Sequence, residues 1–417
     1  MSGGYKYVTM QNQYKIFPPE VIQTTVRLPA SKSISNRALI LYALSLSNQP
    51  IKNLSDCEDT QVLIDAFNSN SNVFDVKGAG TAMRFLTAFL AGMEGDWILK
   101  GSKRMHERPI QPLVEALQAL GAEIDYLEKE GFPPLKIKGK RLKGGEIYMA
   151  GNISSQFISA LLMVAPHMEE GLLMHIEKEV VSRPYIDLTM NMMAKCGVNA
   201  KWQNNDITVK PQKYKPIKHE VEADWTAASY WYEMVAMLPG SEVYLKGLEK
   251  SSLQGDSNVT SLFTELGVST RFVSDGIVIR NVKRKAKKFF HDFTKEPDLA
   301  QTFATTCCFL RVPFLFSGIQ SLKIKETDRV HALINELKKL GFLLQENEIG
   351  MLEWNGERCH PEEDPVIDTY NDHRMAMSMA PGAIDFGMLR MNDPHVVSKS
   401  YPNFWNDLQQ AGFTIEK

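Results

Sequence analysis

The sequence predicts an α/β protein of six repeated helix–strand units, three in each of two domains. Three observations lead there. A segment that reads as amphipathic helix, then glycine, then alternating strand recurs around Gly121, Gly197, Gly267, Gly341 and Gly412. Those glycines fall about 70 to 76 residues apart, a spacing too regular for unrelated helices and the mark of an internal repeat. The chain has 417 residues and a hydrophobic fraction of 44%, enough for two to four packed domains at roughly 100 to 200 residues each.

Each element has a local cause. In LVEALQALGAEIDYL, LTMNMMAKCGVNAKW, SLFTELGVSTRFV, HALINELKKLGFLLQ and FWNDLQQAGFTI, apolar residues first follow helical spacing and then alternate. The glycine sits where a helix end needs a left-handed backbone, which costs a residue without Cβ nothing. Second helical stretches, SSQFISALLMVAP, AASYWYEMVAM and LAQTFATTCCFL, are followed by strand-like pieces such as GLLMHIE and SEVYLKG. A weaker sixth copy, TQVLIDAFNSNSNVFDV, has Asn70 in the place of the glycine. It precedes Gly121 by only about 51 residues, so the first unit is expected to be truncated by about 20 residues, the length of a hairpin of two short strands.

Composition narrows the function. Lys plus Arg is 47 against 49 Asp plus Glu, a formal net charge of −2, which argues against a nucleic-acid binder, whose surface normally carries a basic excess. The basic run KRKAKK at 283–288 reads as a solvated loop or strand end and is assigned no function. The cysteines Cys57, Cys196, Cys307, Cys308 and Cys359 are odd in number and lack C-x-x-C spacing, so no zinc site or disulfide framework is expected and a reducing cytoplasm fits. The opening MSGGYKYVTMQNQYKIF lacks the apolar core of a secretion signal, and no stretch approaches the roughly 18 apolar residues of a membrane span.

Chemistry concentrates at predicted helix starts. LPASKSISNR (28–37) leads into an apolar helix from Ala38 to Leu46; capping accounts for Ser31 and Ser33, while Lys32 and Arg37 add cations where free N–H groups already favour an anion. GAGTAMR (78–84) lacks the third glycine of a dinucleotide fingerprint, since position 83 is Met83, and no P-loop pattern occurs. It remains a glycine turn where backbone can approach an anion. RMHERPI (104–110), NISSQ (152–156), KETDR (325–329) and NDHRMAM (371–377) each place cations, hydroxyls or an imidazole at a helix start. Each alone is matched by a plain alternative: surface arginine, cap, charged first turn, structural histidine. Their recurrence in both halves of the repeat points to polyanionic small molecules held between two domains, where closure excludes water.

Taken together, LPASKSISNR, GAGTAMR, RMHERPI, GNISSQF, SRPYID, LQGD, KETDR and YNDHRMAM, in this order from about Leu28 to Phe404, resemble the 5-enolpyruvylshikimate-3-phosphate synthases, enolpyruvyl transferases of the shikimate pathway. The resemblance implies a two-domain inside-out α/β barrel of six units. It implies a discontinuous domain, 1–28 with 223–417, carrying Asp298, Glu326, Arg374 and Lys399, and an inserted domain, 29–222, carrying Arg37, Arg108, Ser154 and Gln156. The implied reaction moves the enolpyruvyl group of phosphoenolpyruvate to the 5-hydroxyl of shikimate 3-phosphate by addition and elimination, releasing phosphate without metal or organic cofactor. By motif, Lys32, Gly80, Arg108, Gln156, Arg329, Arg374 and Lys399 would hold phosphoenolpyruvate. Lys32, Ser33, Arg37, Ser154, Ser155, Gln156, Ser182, Tyr185, Asp298 and Lys325 would hold shikimate 3-phosphate. Asp298 would serve as base at the hydroxyl and Glu326 as proton carrier at C3, with Lys32 sharing that work. A cytoplasmic monomer is expected, without nucleic-acid or membrane partners.

The sequence departs from the family pattern at Gly78 (usually Asn), Ala30 (usually Gly), Phe85 (often Pro) and Ser321 (usually an Asn ligand), and Asp298 sits in EPDLA. The largest departure is the short stretch between Asp59 and Arg84, where the family usually has a further hairpin; every matched site residue lies outside that gap. Two rivals remain at this point. The related UDP-N-acetylglucosamine enolpyruvyl transferases share fold and donor but usually carry a reactive cysteine loop, absent here. A non-catalytic anion-binding descendant would bind both substrates without turnover.

Overall fold

The structure, a computed structural model, describes residues 13–417. The stretch 1–12, which includes the start of the expected discontinuous domain and most of the segment read as lacking a secretion signal, lies outside the described residues. Among the described residues, five four-stranded sheets and one two-stranded sheet make up the β structure. The four-stranded sheets share one topology: a parallel pair followed by an antiparallel pair, which is a hairpin in four of them and in the fifth joins Gln13–Phe17 to Thr414–Glu416. In one, Val73–Asp75 runs parallel to Gly95–Lys100, which pairs antiparallel with Leu135–Gly139 and through it with Glu123–Tyr126. Gly145–Ala150, Leu172–Glu177, Asp206–Val209 and Ala200–Gln203 repeat the pattern, as do the sheets containing Glu242–Lys246, Phe314–Ser317 and Leu389–Asn392. Among the described residues the sheets remain separate and open, so the inside-out arrangement is one of several small sheets around helices rather than a closed barrel.

The glycines behave as periodicity requires. Gly121, Gly197, Gly267, Gly341 and Gly412 have φ of 100°, 82°, 94°, 87° and 99°, each one residue past a helix C-cap. At Gly121 the cap closes with its own N–H on the Gln118 carbonyl and that of Ala122 on Leu117, both at 2.9 Å, the paired bonds of a Schellman motif.

The sixth unit is short, as the repeat spacing required, but not in the expected way. Its sheet is the parallel pair Ile51–Lys52 and His219–Glu220, with no hairpin. Asn70 does not adopt the left-handed conformation; the helix Glu58–Asn68 ends on Ser69 with φ −84° and ψ 139°. Without a hairpin to turn into, the chain runs on in extended form, and Val73–Asp75 joins the next unit's sheet.

Buried apolar side chains form two clusters. One is drawn from Tyr14 to Leu28 and from Ala223 to Phe413, the other from Ala30 to Val221. The chain passes between them twice, and the two passages lie side by side: Ser31 N–H donates to the Glu222 carbonyl at 2.8 Å and Asp224 N–H to that of Pro29 at 2.9 Å. At the centre of each cluster lie helices buried on nearly every side, such as Ser155–Val164 and Gly80–Ala91 in one and Trp225–Met237 and Ala300–Phe309 in the other. A helix apolar all round is one that neighbours enclose completely.

Candidate active site

Two of those helices, Gly80–Ala91 and Ser155–Val164, start at one cavity, and four others do the same. A space of about 280 Å³ between the two cores is lined at six helix beginnings: Lys32 and Ser33 open the helix Lys32–Leu44, Gly80 and Thr81 open Gly80–Ala91, and Ser154 caps Ser155–Val164. Ser182 precedes Arg183–Lys195, Arg329 opens Arg329–Lys339, and His373 and Arg374 open His373–Met379. Helix starts present unpaired N–H groups and the positive end of the helix dipole, so their convergence alone favours anions.

Side-chain charge acts in the same direction. Lys32, Arg37, Arg84, Arg108, Lys325, Arg329 and Arg374 line the space, against Asp59, Asp298 and Glu326. Seven cations facing three anions leave a surplus of positive charge in a site with little water to screen it.

Of the residues singled out from the sequence, Lys32, Ser33, Arg37, Gly80, Arg108, Ser154, Ser155, Gln156, Ser182, Tyr185, Asp298, Lys325, Glu326, Arg329 and Arg374 all line the cavity, as does Ser321. Lys399 does not. It ends the turn Pro394–Lys399 and donates from Nζ to the Asn371 carbonyl at 2.6 Å, which ties it to the loop carrying His373 and Arg374 rather than to the cavity wall. The helix of the first motif also begins earlier than expected, at Lys32 with Ser31 as its cap, and ends at Leu44.

Asp298 is the centre of an ion network. Arg374 Nη2 donates to its Oδ2 at 2.8 Å, Arg329 Nη1 to its Oδ1 at 3.2 Å, and Lys325 Nζ lies 3.9 Å from Oδ1. Burial pushes this carboxyl up, but Arg374, Lys325 and Arg329 together hold it well below the usual carboxylate range. Arg329 is held by two further carboxylates, with Nε on Asp372 at 2.7 Å and Nη2 on Glu326 at 2.8 Å. Glu326 is likewise pushed up by burial and held low by Arg329, Arg108, His373 and Lys32. His373 is driven down by burial and by Lys32 and Arg374, and neither ring nitrogen has a hydrogen-bond partner.

Other parts of the wall are built for position. Arg108 lies over Gly80, where an added Cβ would sit 2.7 Å from both Nη1 and Nη2. Arg84 fixes the two loops beneath it, donating to the carbonyls of Gly80 at 3.1 Å and Pro109 at 3.2 Å. Arg37 donates to Thr189, Ser159 and the carbonyls of Ser33 and Tyr185; burial lowers it to about 10, still protonated at neutral pH. Ser182, Tyr370 and Asn371 hold φ of 55°, 52° and 59°, a left-handed conformation costing on the order of 1 kcal/mol each for such residues.

Sequence reasoning missed several of these groups. Asp59 Oδ2 lies 3.1 Å from Lys32 Nζ, and Asp59 with the other acids near Lys32 outweighs the lowering effect of burial and raises its pKa. Arg84 and Thr81 stood inside GAGTAMR without a role, although Thr81 accepts from Gln156 Nε2 at 3.1 Å. Asp256, in LQGD, accepts the Tyr185 hydroxyl at 3.2 Å and that of Thr226. A buried acid within a polar motif was the available signal for Asp256; Asp59 had none.

Comparison with known proteins shows the family and the fold. The family model for EPSP synthase (3-phosphoshikimate 1-carboxyvinyltransferase) matches residues 16–69 and 62–408. The chain is 50% identical over 405 residues to the 3-phosphoshikimate 1-carboxyvinyltransferase of Bacteroides fragilis, covering 97% of this chain and 99% of that protein. It is 37% identical over 428 residues to that of Shewanella pealeana, covering 95% and 98%. The fold matches a solved EPSP synthase from Acinetobacter baumannii with a TM-score of 0.77, at 19% identity, over 97% of this chain and 100% of that one. With its motifs, its repeated sheets and its cationic cavity accounted for together, the chain belongs to the EPSP synthase family.

Proposed function

We propose that the cavity between the two cores is where this enzyme transfers the enolpyruvyl group of phosphoenolpyruvate to the 5-hydroxyl of shikimate 3-phosphate, releasing phosphate on the route to chorismate and the aromatic amino acids. The observation that carries the assignment of the site is the surplus of seven cations over three anions at converging helix starts. Two substrates bearing phosphates and carboxylates match that surplus.

Phosphoenolpyruvate lies against Lys32, Arg108, Arg329 and Arg374, with Gly80 and Gln156 beside it; guanidinium forks suit its carboxylate and phosphate. Shikimate 3-phosphate takes Ser33, Ser154, Ser155 and Ser182, with Tyr185 along its ring, Lys325 near its hydroxyls and Arg37 behind Ser33. Lys399 acts from outside the wall, through the Asn371 loop. Each half of the chain holds three of the six units, the 13–28 and 223–417 portions forming one lobe and 29–222 the other. We read the chain as a cytoplasmic monomer, its five free cysteines supporting the reducing compartment.

Asp298, ionised, accepts the proton of the attacking 5-hydroxyl. Glu326 must first give a proton to C3 and later take one back, and its cationic neighbours explain how it does both. Arg329, Arg108 and Lys32 hold it ionised while they face it alone. A phosphate and a carboxylate placed among the same cations share that field, so the effect of burial gains weight and the Glu326 carboxyl moves toward protonation. Lys32, kept charged beside Asp59, balances the charge as the C3 proton moves.

A phosphate-release assay with both substrates, omitting each in turn, tests the reading. Release only when both are present is the expected result; release with phosphoenolpyruvate and UDP-N-acetylglucosamine instead would reverse it.

A further inference from the structure

The turn that carries Arg108 also carries Arg104, and the two arginines point different ways. The turn Met105–Glu107 has Arg104 at one end and Arg108 at the other. Arg108 is buried in the cavity wall at 6% exposure, whereas the Arg104 side chain is 43% exposed and reaches across to the other core. Its Nε donates to the Glu326 carbonyl at 3.2 Å and its Nη2 to the Lys325 carbonyl at 3.3 Å. Nη1 is held from its own side by Glu107 at 3.1 Å. One guanidinium therefore grips two successive carbonyls of the loop whose side chains, Lys325 and Glu326, enter the cavity.

We propose that Arg104 is a positioning residue that fastens the Lys325–Glu326 backbone to the Arg108 turn when the two cores meet. The inference rests on the reading of the cavity as the site of enolpyruvyl transfer. Arg104 does not line the cavity, so it offers substrate nothing directly. Its bonds join residues more than two hundred positions apart in the chain and exist only where the halves are in contact. Losing them lowers the fraction of molecules in the joined arrangement, and apparent affinity falls by that fraction for every ligand needing both halves. A direct ligand would instead weaken one substrate.

The test is steady-state phosphate release by the parent protein, R104A and R104K, with thermal stability measured alongside. For R104A the KM values for phosphoenolpyruvate and for shikimate 3-phosphate should rise together by about tenfold, as expected for losing two charge-assisted bonds at a half-exposed site. Turnover at saturation should change by less than about threefold, and the unliganded melting temperature should hold within about 2 °C, because an exposed side chain supports little of the core. R104K, which keeps the charge but not the fork, should show a smaller rise shared by both substrates. Small-angle scattering at a shikimate 3-phosphate concentration near the parent's KM should give a larger radius of gyration for R104A than for the parent. Parental KM values, a rise confined to one substrate, or equal radii would overturn the proposal. If the parent released no phosphate from the two substrates, the functional reading would fail instead, a separable outcome.

Discussion

Arg374 and Asp298 link the helix His373–Met379 directly to the turn Pro297–Leu299 that precedes the helix Ala300–Phe309, with Nη2 on Oδ2 at 2.8 Å. Asp298 sits just before that helix, and Arg374 opens its own. The pair keeps the carboxylate ionised and aimed into the cavity, the condition a general base needs before it can accept a proton.

Replacing that carboxylate should abolish the base while sparing its neighbours. D298N is expected to lose about 10² to 10⁴ in kcat, the usual worth of a positioned acid–base group, with KM values changed far less. Rapid-quench phosphate release over single turnovers would measure the chemical step directly. A single-turnover rate equal to the parent's would remove Asp298 from the role.

Asp256 provides a pH-dependent counterpart. Burial, with Asp298 and Asp224 adding to it and Thr226 and Arg374 opposing, pushes its carboxyl up to about 7 from a usual 3.8. A carboxyl raised in the folded state binds its proton more tightly than in the unfolded chain. Its contribution to stability is therefore fully present below the ordinary pKa and is lost as pH climbs toward 7. D256N cannot ionise, and its single amide oxygen, placed at the Oδ2 position, can still accept from the Tyr185 and Thr226 hydroxyls, both of which reach Oδ2 of Asp256. Relative to the parent it should gain stability between pH 5 and pH 8, on the order of 2 kcal/mol. Calorimetry at the two pH values decides the matter, and a difference in melting temperature that stays constant would contradict it.

Gly80 and Arg108 offer a substitution that separates substrates. Gly80 opens a right-handed helix and has no need of positive φ, so alanine suits its backbone. The added Cβ meets first the guanidinium end of the Arg108 side chain, at 2.7 Å. G80A should keep the parental melting temperature and move the guanidinium. The KM for phosphoenolpyruvate should rise about tenfold to a hundredfold, as for the loss of one or more charge-assisted bonds, with that for shikimate 3-phosphate nearly unchanged. Equal kinetic constants for both substrates in G80A and parent would show that Arg108 does not contact phosphoenolpyruvate.

What was legible in the sequence was what has a local cause. Helical spacing followed by glycine located five helix ends, because a left-handed cap is a single-residue demand visible at Gly121 or Gly412 without knowing the fold. The cap assigned to Asn70 failed because that demand belongs to a hairpin, and the hairpin is missing. Cavity residues inside motifs, such as Ser154 or Arg374, were found through helix starts. Asp59 was not, since nothing in its own neighbourhood signals that Lys32 lies 3.1 Å away. Arg104 was seen as part of RMHERPI, but its partners are carbonyls more than two hundred residues distant, a relation that only the folded chain displays.

The shortened unit should be the softest part of the molecule and still serve the site. Its sheet is two strands of two residues each, tied by Val221 N–H to Lys52 at 3.0 Å and by Asn53 Nδ2 to the Val221 carbonyl at 2.6 Å; so small a sheet is marginal without a covering layer. The helix Glu58–Asn68 buries only Asp59, Thr60 and Leu63. Yet its first turn carries both functional contacts, Asp59 to Lys32 and Glu58 to the Ser398 hydroxyl of the other core. Loss of the hairpin thus removes support from the far end of the helix and leaves its working end anchored. Hydrogen exchange followed by mass spectrometry should find amides of 51–53 and of the last two turns of this helix exchanging well ahead of the strand Leu135–Gly139, by about 100-fold or more. Adding both substrates should slow exchange in the first turn, Cys57 to Thr60, more than in the last. Uniform protection along the helix, or slowing confined to its far end, would contradict this division of labour.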